Sequence, residues 1–287
     1  GVGGWLVRHR GAAIMTAPFY SNPSLVEAGT ARIGPVPERI GAHLPRVDDV
    51  TAILVGHAHY DHLMDVPWIM AERAPGAVVY GNRTMAHQLA PFGVGAARVR
   101  VVEAAAGSVE APGRWISVGD GVRVMPLASD HAPHFAGRVL YAGERRAPME
   151  RRPRHADEWL AGRTLAYLVD LLDAEGSTAF RIYYQDAVAA APYGLPPDLG
   201  DGHGVDLALV VPATYAEVRW HPERLLAAAD PRHVLLGHWE DFFRPPSEPA
   251  RPVPFTDLDD FLDRLRGALP DGAGWHLPVP GTRFLFR

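Results

Sequence analysis

The sequence contains no cysteine and no lysine. The first absence excludes disulfides, thiolate metal ligands and cysteine nucleophiles, so any metal has to be held by histidine and carboxylate side chains. The second makes all 28 basic residues arginine. Beside the abundance of Ala, Gly and Pro this reads as compositional bias rather than selection for guanidinium chemistry. Long apolar runs are missing as well: none approaches the ~20 residues that a bilayer-spanning helix needs. A strong excess of one charge is also lacking. The formal net charge of -5 gives no global reason to expect nucleic acid or an anionic membrane as partner.

What is present is enough apolar material for a large core. At 287 residues with 47% hydrophobic content, a folded chain removes roughly 75% of its unfolded-state surface from water. Short apolar, β-branched segments bounded by Gly, Pro, Asp or Asn recur along the whole length: GWLVRH, AAIMT, TAILVG, AVVYGN, RVRVVEA, VRVMPLA, RTLAYLVDL, AFRIYYQ, DLALVVPA and HVLLGH. They read as strands. Helical segments are expected over 63–74, 83–91, 220–229 and 256–268, the last with Leu258, Phe261, Leu262 and Leu265 on one face and Thr256 with Asp259 as a capping box. Strands interspersed with helices, without a Ser/Gly linker or an internal repeat, argue a layered α/β protein forming a single domain over 1–287. Residues 136–163 stand apart, carrying Arg138, Arg145, Arg146, Arg151, Arg152, Arg154 and Arg163. They are expected to form a loop or loop insertion, with a solvated surface role as the plainest reading. The opening GVGGWLV reads as strand from the start. The location is left open between cytoplasm and export after loss of an N-terminal signal.

The segment TAILVGHAHYDHLMDVP places His57, His59, Asp61 and His62 directly after an apolar strand. Three further strands end in the same kind of side chain: VRVMPLASD in His131, with His134 close behind, RIYYQ in Asp186, and HVLLG in His238. Strand ends lined up along one sheet edge deliver such groups to a common cleft. In an extended segment His57 and His59 point the same way, while a turn into helix redirects Asp61 and His62. The expected arrangement is one metal site from His57, His59 and His131 and a second from Asp61, His62 and His238, with Asp186 bridging. His134, three residues from His131, is the alternative ligand. A lone histidine is more often a hydrogen-bonded core or surface residue, so His9, His43, His87, His155, His203, His221, His233 and His276 are read as ordinary.

These residues resemble the metallo-β-lactamase superfamily, and within it the branch of ascorbate-6-phosphate lactonase-like proteins and N-acyl-phosphatidylethanolamine phospholipase D. PLASDH at 126–131, YYQD at 183–186 and GHWEDFF at 237–243 are similar to that branch's strand-end histidine, its "GD" and its "HWGTF"-like stretch. The resemblance implies a four-layer αββα sandwich of class α/β (α+β) with a di-metal site at one edge. Thr16-Ala17-Pro18 stands where many relatives have Asp-Pro, and Gln185 where they have Gly before the bridging aspartate. The role of that Asp in supporting the histidine loop is thereby unassigned.

Two divalent ions about 3.5 to 4 Å apart acidify a shared water, and the expected mechanism is attack by a di-metal-bridged hydroxide with Asp61, His62 and Asp186 as the catalytic set. Zinc suits a His-rich, thiol-free shell, with manganese or iron as options. The resemblance makes phosphodiester hydrolysis the first expectation and an anionic or lipid-like small molecule the partner, with the arginines of 136–163 as phosphate contacts. Lactone or carboxylic-ester hydrolysis is the runner-up, and a non-catalytic metal-bound scaffold or sensor the alternative of another class. Diiron-flavin oxidoreductases of this superfamily generally use Glu where this chain has His59. Tyr60 and Trp239 are candidates for pocket walls, Tyr60 also for a proton donor. Glu240 and Asp241 read as ligand-supporting acceptors or as solvated surface carboxylates. Oligomeric state is not legible.

Overall fold

The computed structural model describes residues 2–134 and 137–286. Gly1 of the opening GVGGWLV segment and Ala136, the start of the expected arginine-rich loop, lie outside the described residues. Strands β1 (Leu6–His9), β2 (Ala12–Thr16), β3 (Val50–Leu54), β4 (Val78–Gly81) and β5 (Val99–Val101) form one sheet in that order. Strands β6 (Ile116–Gly119), β7 (Val122–Ala128), β8 (Leu165–Leu172), β9 (Thr178–Tyr184), β10 (Leu207–Val210), β11 (His233–Leu236) and β12 (Gly274–His276) form the other, in the order β12-β11-β10-β9-β8-β7-β6. Helices α1 (Leu25–Thr30), α2 (Pro37–His43), α3 (Tyr60–Leu63), α4 (Val66–Glu72), α5 (Arg83–Leu89), α6 (Glu223–Ala229) and α7 (Leu258–Ala268) complete the regular elements.

Successive side chains of a strand face opposite ways, and here both faces are apolar because both are covered. In β3, Ile53 joins Leu63, Ile69 and Met85 in an outer cluster, while Ala52 and Leu54 face Tyr167, Ile182 and Leu235 of the second sheet. In β9, Ile182 and Tyr184 face inward, and Tyr183 packs outward with Leu226 of α6 and Phe261 of α7. The layers are therefore helix, sheet, sheet, helix, the αββα sandwich that the resemblance implies.

Several expectations are revised. The helical segment 63–74 is two short helices, α3 and α4, with Pro67 in the first turn of α4. Between them Asp65 is fully buried and accepts from the backbone N–H groups of Tyr20 and Ser21 and from the Ser21 hydroxyl, 2.5 to 2.9 Å away. The last helix is capped by Asp257, whose carboxylate accepts from Asp260 N–H, so the Thr256/Asp259 box does not form. The 220–229 segment becomes helical only at Glu223. Strands β6 and β12 and helices α1 and α2 escape sequence reading because they are short and only partly apolar. For α1 a signal existed: Ser24 and Glu27 form a reciprocal capping box.

Topology brings the strand ends together. β7 is antiparallel to β8 and β8 to β9, so β7 runs the same way as β9, and β10 and β11 run parallel to β9. The C-terminal ends of β7, β9 and β11 thus share one edge. β3 meets them from the other sheet: Leu165 N–H, at the start of β8, donates to Gly56 O just beyond β3.

Segment 137–163 holds no α-helix or strand and is largely exposed, as expected of a surface loop, but its last part straps it to the core. Trp159 is fully buried in the outer cluster, Leu160 N–H donates to Gln88, and Ala161 O accepts from Ala58 N–H in the histidine loop. Four of its arginines have partners outside the site. Arg151 pairs with Glu158, Arg145 donates to Glu158 O, Arg152 lies over Phe92, and Arg163 meets Glu144.

Candidate metal centre

Beyond β3 the chain bends at Gly56 and His57 and is extended again at His59, whose φ of -62° and ψ of 158° mark the residue before α3. Asp61 and His62 then sit on the first turn of that helix. The change from extended to helical backbone divides the donors between two directions.

Three overlapping clusters of donor atoms result, each with all members within 4.8 Å of one another: His57 with His59 and His131, His57 with His62 and Asp186, and Asp61 with His62 and His238. All seven residues expected as ligands are thereby brought to one place, and Asp186 stands between the two trios. Its Oδ2 accepts from the His57 backbone N–H at 2.8 Å and lies 2.7 Å from His57 Nδ1, while Oδ1 is 3.0 Å from His62 Nδ1 and accepts from the Tyr184 hydroxyl. Asp61 Oδ2 lies 3.3 Å from His62 Nε2 and 3.7 Å from His238 Nε2. His238 takes a φ of 55°, left-handed backbone that a non-glycine residue rarely adopts and that marks a constrained position.

The donor chemistry fits cations. His57 Nε2, His59 Nε2 and His238 Nδ1 are buried without a hydrogen-bond partner, a costly state for an imidazole nitrogen unless something else engages it. His131 Nδ1 lies 2.6 Å from Ala132 O, so it carries the proton and leaves the Nε2 lone pair free to coordinate. Burial holds His57, His59 and His131 below the ordinary imidazole range, helped by repulsion from His62 at His57 and from His57 at the other two, and burial with repulsion from His62 holds His238 down at about 3. His62 is the exception: burial opposes its charge, but Asp186 and Asp61 outweigh that and raise it to about 10. Burial also penalises both carboxylates, yet the surrounding imidazoles keep Asp61 and Asp186 below the usual range. A site holding two anionic groups and five imidazoles has the charge to accept two cations.

His134 joins none of the three clusters; its ring stacks on His131 with centroids 4.4 Å apart. Tyr60 is buried with its ring edge-on to Phe19, and Trp239 is buried with Nε1–H donating to Pro278 O, so both pack the walls. Asp241 is buried and bonded to Arg251 and to Phe243 N–H, holding the loop after His238; Glu240 bridges to Pro252 through its backbone. The other histidines with hydrogen bonds are ordinary: His9, His87, His155 and His221 meet carbonyl oxygens and His203 meets Asp206. Thr16 bonds Gly3 O and Trp5 N–H and reaches the Tyr184 hydroxyl. Gln185 accepts from Val211 N–H, a β9–β10 contact and not a ligand contact. Sequence reading missed Gly56, Tyr184 and Asp65, which position the donors. Gly56, directly before His57, was the one with a visible signal.

A family model described as "Beta-lactamase superfamily domain" matches residues 24–239. Solved structures with a similar fold include Igni18, a metallo hydrolase from the archaeon Ignicoccus hospitalis, 15% identical with a TM-score of 0.57, covering 100% of this chain and 97% of that one. A possible metal-dependent hydrolase from Veillonella parvula is 12% identical with a TM-score of 0.55, covering 98% and 95%. CmlA, a diiron β-hydroxylase from Streptomyces venezuelae, is 15% identical with a TM-score of 0.51; the similarity covers 97% of this chain and 52% of CmlA. No curated protein matches the chain. Proteins named for different reactions thus share the fold, and the reaction has to be argued from the site.

Proposed function

Because the chain belongs to the Beta-lactamase superfamily, we propose that it is a hydrolase dependent on two divalent cations, one held by His57, His59 and His131 and the other by Asp61, His62 and His238, with Asp186 shared. The observation that carries this reading is the overlap of the three donor clusters at His57 and His62, the two residues that join the cluster of Asp186 to the other two. Zinc is the first candidate metal, since the donors are imidazole and carboxylate with no thiolate; manganese and iron accept the same set.

When bound, a pair of divalent cations supplies a water of near-neutral pKa and polarises the bond to be cleaved. The chain's own groups do the rest. Asp61 orients that water through its carboxylate, and Asp186, fixed by four hydrogen-bonding groups, holds the two halves of the centre in register. His62 is clamped between the carboxylates of Asp61 and Asp186. Aromatic rings exclude bulk water at the rim: Phe242 lies 5.1 Å from the His238 ring and Tyr141 6.2 Å from that of His59.

A phosphodiester is the substrate class that the resemblance to the phospholipase-like branch suggests. A carboxylic ester or lactone is a second reading, favoured by one observation: among the described residues no guanidinium of the 137–163 strap bonds a residue of the centre, while aromatic rings do approach it. Metal-loaded protein assayed against bis(p-nitrophenyl) phosphate and a panel of lactones separates the two, and turnover of lactones alone sinks the phosphodiester reading. The Asp61→Ala variant separates hydrolase from metal-bound scaffold. Loss of turnover is expected, and undiminished activity would mean that water activation plays no part.

A further inference from the structure

His131 and His134 are stacked neighbours with opposite hydrogen-bond polarity. The Nδ1 of His131 faces a carbonyl, Ala132 O, and so carries the proton. The Nδ1 of His134 faces a donor instead, the backbone N–H of Leu140 at 3.1 Å, while its own backbone N–H donates to Arg138 O at 2.9 Å. A nitrogen that accepts an N–H carries no hydrogen, so the neutral His134 ring must carry it on Nε2. The Leu140 N–H therefore fixes the tautomer. His131 presents a lone pair and His134 presents an N–H, and a nitrogen bearing hydrogen is not a metal ligand.

The position suits a contact with substrate. The His134 ring is 4.4 Å from His131, at 26° to it, and 5.5 Å from His59. It is half-buried, and no residue of the described structure bonds its Nε2. We propose that His134 is a catalytic hydrogen-bond donor: its Nε2–H donates to the substrate oxygen on which negative charge builds, beside the His57, His59 and His131 trio. The inference rests on reading the centre as a hydrolase and assigns it a donor that is not a ligand. The ring stays neutral and keeps its proton. Its contribution is a fixed dipole aimed at developing charge, which is stabilising because it needs no reorganisation during the reaction.

The test uses the zinc-loaded full chain with His134→Ala and His134→Gln. Zinc content is counted by elemental analysis, inorganic phosphate serves as an oxyanion probe in calorimetry, and turnover is followed with p-nitrophenyl acetate and bis(p-nitrophenyl) phosphate. Both variants are expected to hold as much zinc as the wild type. Phosphate affinity should fall about tenfold in the Ala variant, the scale of one hydrogen bond to a charged group. Its kcat should fall about 10²-fold at nearly unchanged KM, and Gln, whose amide keeps a donor, should recover part of both losses. Loss of one zinc equivalent in the Ala variant makes His134 a ligand and overturns the inference; so does undiminished phosphate affinity. If neither ester is turned over, the phosphate titration decides. A wild type that takes up no zinc overturns the metal reading itself, and this inference with it.

Discussion

Gly56 lies against Asp186 so closely that a Cβ added to it would stand 2.3 Å from the aspartate Cβ and 2.4 Å from Leu165 O. The strand end bearing the histidines is seated on the strand end bearing the shared carboxylate, with no space for one methyl group. Gly56→Ala is expected to push Asp186 out of line, with overpacking costing about 1–3 kcal/mol. Urea titration reads the stability and elemental analysis the metal content. A variant as stable and as metal-rich as the parent would show that this close approach is unimportant.

Tyr184 is fully buried; burial foremost, and then Asp186, keep its phenol protonated as a donor to Oδ1 of Asp186. Hydrogen bonds that orient metal-binding side chains commonly contribute 10–100-fold in affinity. Tyr184→Phe should therefore weaken zinc binding about tenfold in competition with a chromophoric chelator. Unchanged affinity would reduce Tyr184 to a core residue.

Arg181 provides a contrast at a distance from the centre. Only 2% exposed, it bonds Asp170 of β8 at 2.7 Å and Asp201, in the loop between β9 and β10, at 2.7 Å. Asp170 keeps Arg123 and the Thr178 hydroxyl as donors when Arg181 is removed, so Arg181→Ala, which takes away charge-assisted hydrogen bonds without stranding the carboxylate, is expected to cost about 1.5–3 kcal/mol in thermal or chemical unfolding. The folded fraction should still bind its full complement of metal. A loss of stoichiometry there would argue long-range coupling between the ion pairs and the centre.

His221 is buried, its Nε2–H donating to Val211 O, and burial lowers it from 6.5 to about 4. A folded-state value below the unfolded one means the neutral ring stabilises the fold fully above pH 6.5, a contribution lost as pH falls toward 4. At 1.4 kcal/mol per unit the amount is roughly 3 kcal/mol. Stability measured between pH 7 and 4 should fall more gently in His221→Gln than in the parent. Parallel curves would assign the acid sensitivity to other groups.

Metal removal gives the broadest test. A ligand that binds only the folded state adds RT ln(1 + [L]/Kd), about 4 kcal/mol at a thousandfold excess over Kd. Zinc should raise the melting temperature in proportion to the logarithm of its free concentration, and a chelator should reverse the gain. A melting temperature indifferent to both would leave the centre without a cation.

The buried strands were readable because sheets covered on both faces carry near-continuous apolar runs, as in TAILVG and DLALVVPA. Edge strand β12, with only three residues, has no such run. The donors were readable because His57, His59, Asp61 and His62 are contiguous and because His131, Asp186 and His238 each follow a strand. What could not be read was support. Tyr184 looks like any inward strand residue until Asp186 turns back toward it, and Asp65 looks like part of a helix until Tyr20 and Ser21 donate to it. The arginines of the strap looked like phosphate contacts in one dimension. In three, Arg145, Arg151, Arg152 and Arg163 are taken up by Glu158, Phe92 and Glu144, partners that no local pattern announces.

The strand leading to His57 belongs to one sheet and those leading to His131, Asp186 and His238 belong to the other. Neither half of the sandwich can therefore assemble the cleft by itself. During synthesis the histidine loop precedes His238 by the strands of both sheets, so the centre can mature only after β11 has been made.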